Sequence, residues 1–290
     1  MASLKNHILV PIDFSEQSRI ALGQSYNLAR LTKASLTLIY VVEEPFQLPF
    51  RKEKKVDKTF ERNIQKELKK LAEETTRDTG VKTDTMIAHG KVYEEIQNAA
   101  KKLKSSFIIM GTNGSAGGFK RFIGSNALRV IRESPCPVIT IKGKKHRPGC
   151  KSILLPLDLT KETKEKVTKA IVIANLFGSH IYLLSVLDTD DEFIVNKLKR
   201  QMMQVEEFIK KHELSCSHEF VMGNDMSEEI IKYAKRIKAD LVMIMTQEEM
   251  QWREMFIASE AMEVINGTDA PVLSIRPIER KSTIVSPLKY

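Results

Sequence analysis

"ILVPIDFS", Ile8 to Ser15, returns as "ILLPLDLT", Ile153 to Thr160, 145 residues further along the chain. A second pair closes the repeat: "PCPVITIK", Pro135 to Lys142, returns as "DAPVLSIR", Asp269 to Arg276, at an offset of 134. The sequence is therefore two copies of one unit, the second 11 residues shorter inside. Such self-similarity is weighed before local propensity, because it sets how many folding units there are. At 290 residues two units of ordinary domain size fit, since single cores stop growing at about 250 to 300 residues.

Within each copy, short β-branched runs alternate with longer amphipathic stretches, the pattern of βαβ units on a parallel sheet. The first copy predicts strands near 6–12, 35–42, 82–88, 106–110 and 136–142, and helices near 16–32, 56–78, 92–103 and 124–133. The second predicts strands near 152–157, 179–186, 215–222, 240–245 and 271–276. The expected fold class is α/β: two tandem five-stranded, doubly wound parallel-sheet domains at 1–145 and 150–278, with 279–290 as a C-terminal tail. "GKKHRPGC", Gly143 to Cys150, is polar, carries Gly and Pro, and reads as the link. "EEPFQLPFRKEK", residues 43–54, has only the shorter "LDTDDE" opposite it and holds the extra length. It is either a lid over the carboxyl edge of the sheet or an inert surface loop. The fifth strands, "PVITIK" and "PVLSIR", are apolar edges of the kind that proteins pair or cover. They are expected to be paired or covered; a homodimer of whole chains stays open, with no residue pointing to it.

The formal charge is +9, and it is uneven. Residues 1–145 carry 26 basic and 15 acidic side chains, the remainder 20 and 22. The lysines are interleaved with acids along helical stretches such as "KTFERNIQKELKKLAEE", which describes a solvated face and not a nucleic-acid or membrane surface. Cys136, Cys150 and Cys216 share no C-x-x-C spacing, so reduced thiols in a cytoplasmic protein are expected. Nowhere do 18 apolar residues follow one another, which indicates no membrane span.

After "FIIM" the chain enters "GTNGSAGGFKRFIGSNALRVIRESPCPV", Gly111 to Val138. In an open α/β sheet, ligands bind outside the carboxyl ends of the strands where the strand order reverses. Asp13 closes the first strand there, and Gly111 follows the fourth. Gly111 and Gly114 put no Cβ in the way of a ribose or phosphate, while Gly124 and Ser125 open a helix whose unpaired N–H groups favour an anion. Neither G-x-x-x-x-G-K-[ST] nor G-x-G-x-x-G is present, so this is neither a Walker loop nor a dinucleotide fingerprint.

"VPIDFS" together with G-x2-G-x9-G-[ST] before "SPCPV" resembles the ATP-binding branch of the universal stress protein family, whose domains have the adenine nucleotide alpha hydrolase-like fold. Two copies in one chain resemble its tandem members; the resemblance extends over residues 4–276 and implies that the fifth strands pair across a pseudo-twofold axis within the chain, as in family dimers, to make an intramolecular pseudo-dimer. It implies that Asp13 and Val41 hold the adenine side, and that Met110, Gly111, Gly114, Gly124, Ser125 and Asn126 serve the ribose and phosphates. It implies ATP as the ligand, with or without Mg, and a nucleotide-dependent regulatory or stress-response role with an unknown protein partner. Each residue keeps its plainer alternative. Asp13 is also placed to cap the first helix, with Glu16 completing a capping box. Ser125 is equally a helix N-cap, and Lys120 and Arg121 are either phosphate donors or ordinary loop cations.

At offset 134 the glycines Gly111, Gly114 and Gly124 become Met245, Glu248 and Ala258, while Ser259 matches Ser125. Asp158 matches Asp13 at offset 145. Side chains and a carboxylate in the cradle oppose a nucleotide by sterics and repulsion, so one ATP per chain is expected, in the first domain. The retained Asp158 suggests a capping role. His7, His89, His146, His180, His212 and His218 show no metal-binding spacing, and no G-x-S-x-G elbow or general base stands beside the loop. Three function classes remain: an ATP-binding regulator with slow or no hydrolysis, an ATPase or nucleotidyl-transfer enzyme, and a nucleotide-free scaffold.

Overall fold

The computed structural model describes residues 7–43, 58–112, 123–143, 149–158, 163–246 and 257–276, side chains at 163 and 257–259 excepted. The first half runs β1 (His7–Pro11), α1 (Glu16–Thr32), β2 (Ser35–Val42), α2 (Lys58–Thr79), β3 (Thr83–His89), α3 (Val92–Lys102), β4 (Phe107–Gly111), α4 (Ser125–Glu133) and β5 (Val138–Ile141). The second runs β6 (Ser152–Pro156), α5 (Thr163–Phe177), β7 (His180–Leu187), α6 (Glu192–Lys210), β8 (Cys216–Met222), α7 (Met226–Arg236), β9 (Leu241–Met245), α8 (Ile257–Gly267) and β10 (Val272–Ile275). Two tandem α/β units with the expected strand and helix order are present. Residues 44–54 of the candidate lid, Gly114, Lys120, Arg121, Glu248 and the C-terminal tail lie outside the described residues.

The ten strands form one sheet in the order β3-β2-β1-β4-β5-β10-β9-β6-β7-β8. Every pairing is parallel except β5 with β10. There Ile139 lies opposite Leu273, its own counterpart at offset 134, with Thr140 opposite Val272 and Val138 opposite Ser274. A pseudo-twofold axis therefore passes through the Ile139 and Leu273 pair, and the tandem chain is an intramolecular pseudo-dimer. β5 begins two residues later than its apolar run suggests, because Pro137 has no N–H to give the ladder; its carbonyl accepts from Ile108 N at 3.1 Å.

Parallel strands covered on both faces read as continuous apolar runs. "ILVP" of β1 and "FIIM" of β4 do so, with Leu9, Val10, Ile108 and Ile109 fully buried. One core lies under α1, α2, α5 and α6, the other under α3, α4, α7 and α8. Both cross the seam: Ile141 and Ile275 share the first, Val138 and Val272 the second.

Helix ends show how the two copies solve one problem with different residues. α1 stops at Lys33 in the left-handed region, φ 53°, its N–H donating to Ala29 and Arg30 carbonyls. At the equivalent place after α5 stands Gly178, φ 64°, for which that conformation is free of Cβ strain.

Candidate functional site

The first half orders its strands 3-2-1-4-5, so the chain reverses direction across the sheet between β1 and β4. In an open α/β sheet a ligand binds in that crevice, beyond the carboxyl ends of the strands. Asp13 follows β1, Val41 is next to last in β2, the strand beside it, and Met110 and Gly111 close β4. Gly124, Ser125 and Asn126 open α4 on the same edge, because the Gly124 N–H donates to the Thr112 carbonyl at 2.9 Å and pins the helix start to the end of β4.

Asp13 does not cap α1. Ser15 does, its Oγ accepting from Ser18 N at 3.2 Å, and Asp13 Oδ1 accepts in turn from Ser15 N at 3.0 Å and Ser15 Oγ at 2.6 Å. The expected capping box with Glu16 is thus replaced by a relay one residue away from it. Phe14 turns the chain at φ 61° and stacks against Tyr40 at 5.7 Å. Burial, with the Asp13 charge adding to it, pushes the Tyr40 phenol pKa up.

Gly111 has a packing role beside the cradle expected of it. A Cβ built there meets Gln17 Cβ at 2.9 Å and the Gln17 backbone at 3.1 and 3.2 Å. The glycine lets α1 cross β4 closely, and Gln17 Nε2 then reaches the Lys142 carbonyl at 3.1 Å. Met110 points into the other core, packed with half-buried Val41.

Gly124 is the N-cap of α4 with φ −63° and ψ 148°, angles open to any residue. Among the described residues a Cβ there meets the Thr112 carbonyl oxygen, at 3.4 Å. Neither the backbone angles nor the described neighbours demand glycine, and its lack of a side chain leaves the helix start without a side-chain cap. Ser125 is therefore the first helical residue, not the cap, and Asn126 the second; both are at least partly exposed.

Residues beside α4 extend the site beyond the sequence motif. Lys91 is the N-cap of α3 and makes no side-chain cap bond. It pairs with Glu94 at 2.9 Å, and that hydrogen bond raises the Lys91 pKa and lowers that of Glu94. The Arg129 guanidinium, one turn into α4, lies over the Tyr93 ring, 4.5 Å from its centroid.

In the second half, offset 134 puts Asp225, Glu260 and Glu263 where Lys91, Asn126 and Arg129 stand. Asp225 caps α7, its Oδ1 accepting from Glu228 N at 2.9 Å, and this bond leads the causes that depress its pKa. Ser227 Oγ lies 2.7 Å from Asp225 Oδ1 and 2.5 Å from Glu263 Oε2, one hydroxyl shared by two carboxylates. Burial first, then the charges of Glu263, Asp225 and Asp158, raise the pKa of Glu260. Of these six residues the motif search found Asn126 alone; laying α7 and α8 over α3 and α4 by the repeat offset exposes the other five. No group of three or more His, Cys, Asp or Glu among the described residues is placed to hold a metal. No described helix is long and apolar enough to cross a membrane.

Fold and edge together define a tandem, doubly wound α/β protein with a glycine-capped helix start at its first switch point. The chain belongs to the universal stress protein family, whose model matches residues 5–142 and again 149–276. A universal stress protein of Methanocaldococcus jannaschii is 35% identical over 149 residues, spanning 49% of this chain and 85% of the relative. Another, YxiE of Bacillus subtilis, is 30% identical over 147 residues, spanning 47% and 99%. Both are thus single-unit relatives of a two-unit chain. The crystal structure of a universal stress protein from Archaeoglobus fulgidus superposes with a TM-score of 0.75 at 19% identity, covering 94% of this chain and 98% of that one. That similarity bears on the fold. Two further solved universal stress proteins, in complex with cAMP and, from Archaeoglobus fulgidus, with dAMP, each align with less than half of this chain: 44% and 43%, at 13% and 21% identity and TM-scores of 0.38 and 0.36.

Proposed function

We propose that the protein is an ATP-binding regulator that takes one nucleotide per chain, in the half formed by residues 1–145, and uses it to set a conformation read by a protein partner. The observation that carries this reading is the open start of α4: a glycine cap without a side chain, pinned at the switch point by Thr112, with Arg129 and Lys91 close by. Free N–H groups and the helix dipole favour an anion there, and the two cations reinforce it. Asp13 and Val41, on the β1 and β2 side, would take the adenine, and Ser125 and Asn126 the phosphates, as the motif resemblance implies. Mg fits this reading as a companion of the phosphates without a dedicated carboxylate set. The half at 150–278 is read as a partner domain: its helix starts already carry Asp225, Glu260 and Glu263, which repel a polyphosphate.

Chemistry is the weaker part of the site, because phosphoryl transfer needs a group that orients the attacking oxygen. The reading is therefore binding, with hydrolysis slow or absent. Titration calorimetry with ATP tests it, the expected result being a stoichiometry of one per chain. Two equivalent sites, or no heat at any concentration, refutes it.

A further inference from the structure

We infer that Asn266, a residue of the second half, positions the phosphate end of the first half. The inference rests on the nucleotide reading above and deepens it: the second half becomes part of the site's construction. Asn266 stands next to last in α8, and its Oδ1 accepts from the backbone N–H of Ile123 at 2.8 Å, across the seam. Ile123 is the residue before the motif's last glycine. The Asn266 backbone carbonyl accepts from Lys142 Nζ, just beyond β5. One residue thus grips the first half at two points, one by side chain and one by main chain.

The consequence for the anion site follows from counting amides. The N–H of Ile123 goes to Asn266 and that of Gly124 to Thr112. The next amides along, at Ser125 and Asn126, belong to the first turn of α4, where helix N–H groups have no intrahelical acceptor. Asn266 and Thr112 thereby fix the direction in which those two point.

Among the described residues the main-chain grip has a counterpart, Arg276 donating to the Ser134 carbonyl at 3.2 Å, but the side-chain contact runs one way. Under the pseudo-twofold, the counterpart of Asn266 is Arg132, which pairs with Glu133 at 3.4 Å and whose guanidinium has no acceptor atom to offer an amide. A second asymmetry accompanies the first. A Cβ at Gly267 would fall 2.2 Å from Ile231 Cδ1 and 2.9 Å from Ile231 Cγ1, so glycine there lets the end of α8 sit tightly on α7. The counterpart pair is Glu133 with Gln97 at 3.5 Å. The half whose own helix start is acidic carries the side chain that braces the other half's.

Two variants of the full chain test this, Asn266→Ala, which removes the acceptor, and Asn266→Asp, which keeps it. Hydrogen exchange without nucleotide reads the brace itself. Asn266→Ala should expose the Ile123 amide, with protection across β5 and β10 unchanged, and Asn266→Asp should keep it protected. Calorimetry with ATP and with adenosine reads the ligand side. Asn266→Ala should weaken ATP about tenfold, the scale of one hydrogen bond, and adenosine not at all, since the brace acts at the phosphate end. A thermal midpoint lowered together with equal losses for both ligands would mean a merely structural role and overturn the inference. Unchanged Ile123 protection in Asn266→Ala would also overturn it. If the wild type binds neither ligand, the functional reading falls and takes the ligand part of the inference with it. The exchange result then still decides whether the second half braces the loop exit.

Discussion

Where α3 and α4 begin in the first half, three equivalent positions hold Lys91, Asn126 and Arg129; where α7 and α8 begin in the second, they hold Asp225, Glu260 and Glu263. Two cations and an amide have become three carboxylates on a backbone that hardly differs. The strand order, the registers and the neighbouring glycines repeat: Gly90 N–H donates to Val42 and Gly223 N–H to Leu187, the same bond in both halves. The fold is preserved by its buried runs, while the ligand edge is free to diverge because its side chains face water and hold no core together. On the proposed reading, a site grafted on such a fold is lost from one copy without unfolding it.

The comparison breaks most visibly at Gly124. Since a Cβ there has ordinary room in the protein alone, Gly124→Val should fold normally yet weaken ATP more than about a hundredfold, by covering phosphate donors. Ala258→Val, at the matching position of the second half, should leave ATP affinity unchanged. Calorimetry on both variants checks the pair, and loss of binding from the second alone contradicts the asymmetry.

Next in size is a change to folding rather than binding. Gly111→Met installs the residue found at the counterpart Met245, which packs half-buried against the first core. Because α1 lies too close for a side chain at 111, the variant should lose about 1 to 3 kcal/mol, the usual cost of overpacking, measurable by urea unfolding. A neutral result would mean that α1 moves away at no cost.

Arg129→Glu copies the second half's charge into the first. ATP affinity should fall about tenfold at low salt and less at high salt, since exposed charges are screened over about 10 Å at 0.1 M; adenosine affinity should stay the same. Equal losses for both ligands would instead point to disruption of the Tyr93 stack.

The smallest effect belongs to Glu260. Its folded pKa is raised above the ordinary 4.5 by burial and neighbouring carboxylates, so the folded state takes up its proton before the unfolded state does. Stability should therefore fall as pH rises through and above 4.5, and stay flat in this group's contribution well below it. Glu260→Gln should raise the thermal midpoint slightly at pH 7 and not at pH 4, with the gain held to a fraction of a kcal/mol by solvent screening. An equal gain at both values would assign the effect to packing.

Much of this was legible in the sequence, for identifiable reasons. The repeat pairs gave the two units, and the continuous apolar runs of β1 and β4 gave buried parallel strands, because burial on both faces leaves no alternation. Edge physics gave that the fifth strands would be paired or covered, and the family resemblance gave that they pair with each other. What stayed hidden depends on contacts between elements distant in sequence. The packing role of Gly111 does not show until Gln17, on another element, is seen against it. The role of Ser15 in place of Asp13 at the α1 cap turns on one left-handed residue, Phe14, an uncommon conformation for an aromatic side chain. Asn266 carries no motif at all; only the axis through Ile139 and Leu273 brings it to Ile123.

The antiparallel meeting of β5 and β10 has one more implication, for behaviour under dilution. Two separate chains joined by such a strand pair come apart as concentration falls, and any ligand affinity that depends on the join falls with it. Here the partner is tethered by the short segment between β5 and β6, so the local concentration of one half around the other is set by the link and not by how much protein the cell makes. A brace supplied across the seam is then present at every expression level, and each first half is matched to one second half without exchange of partners.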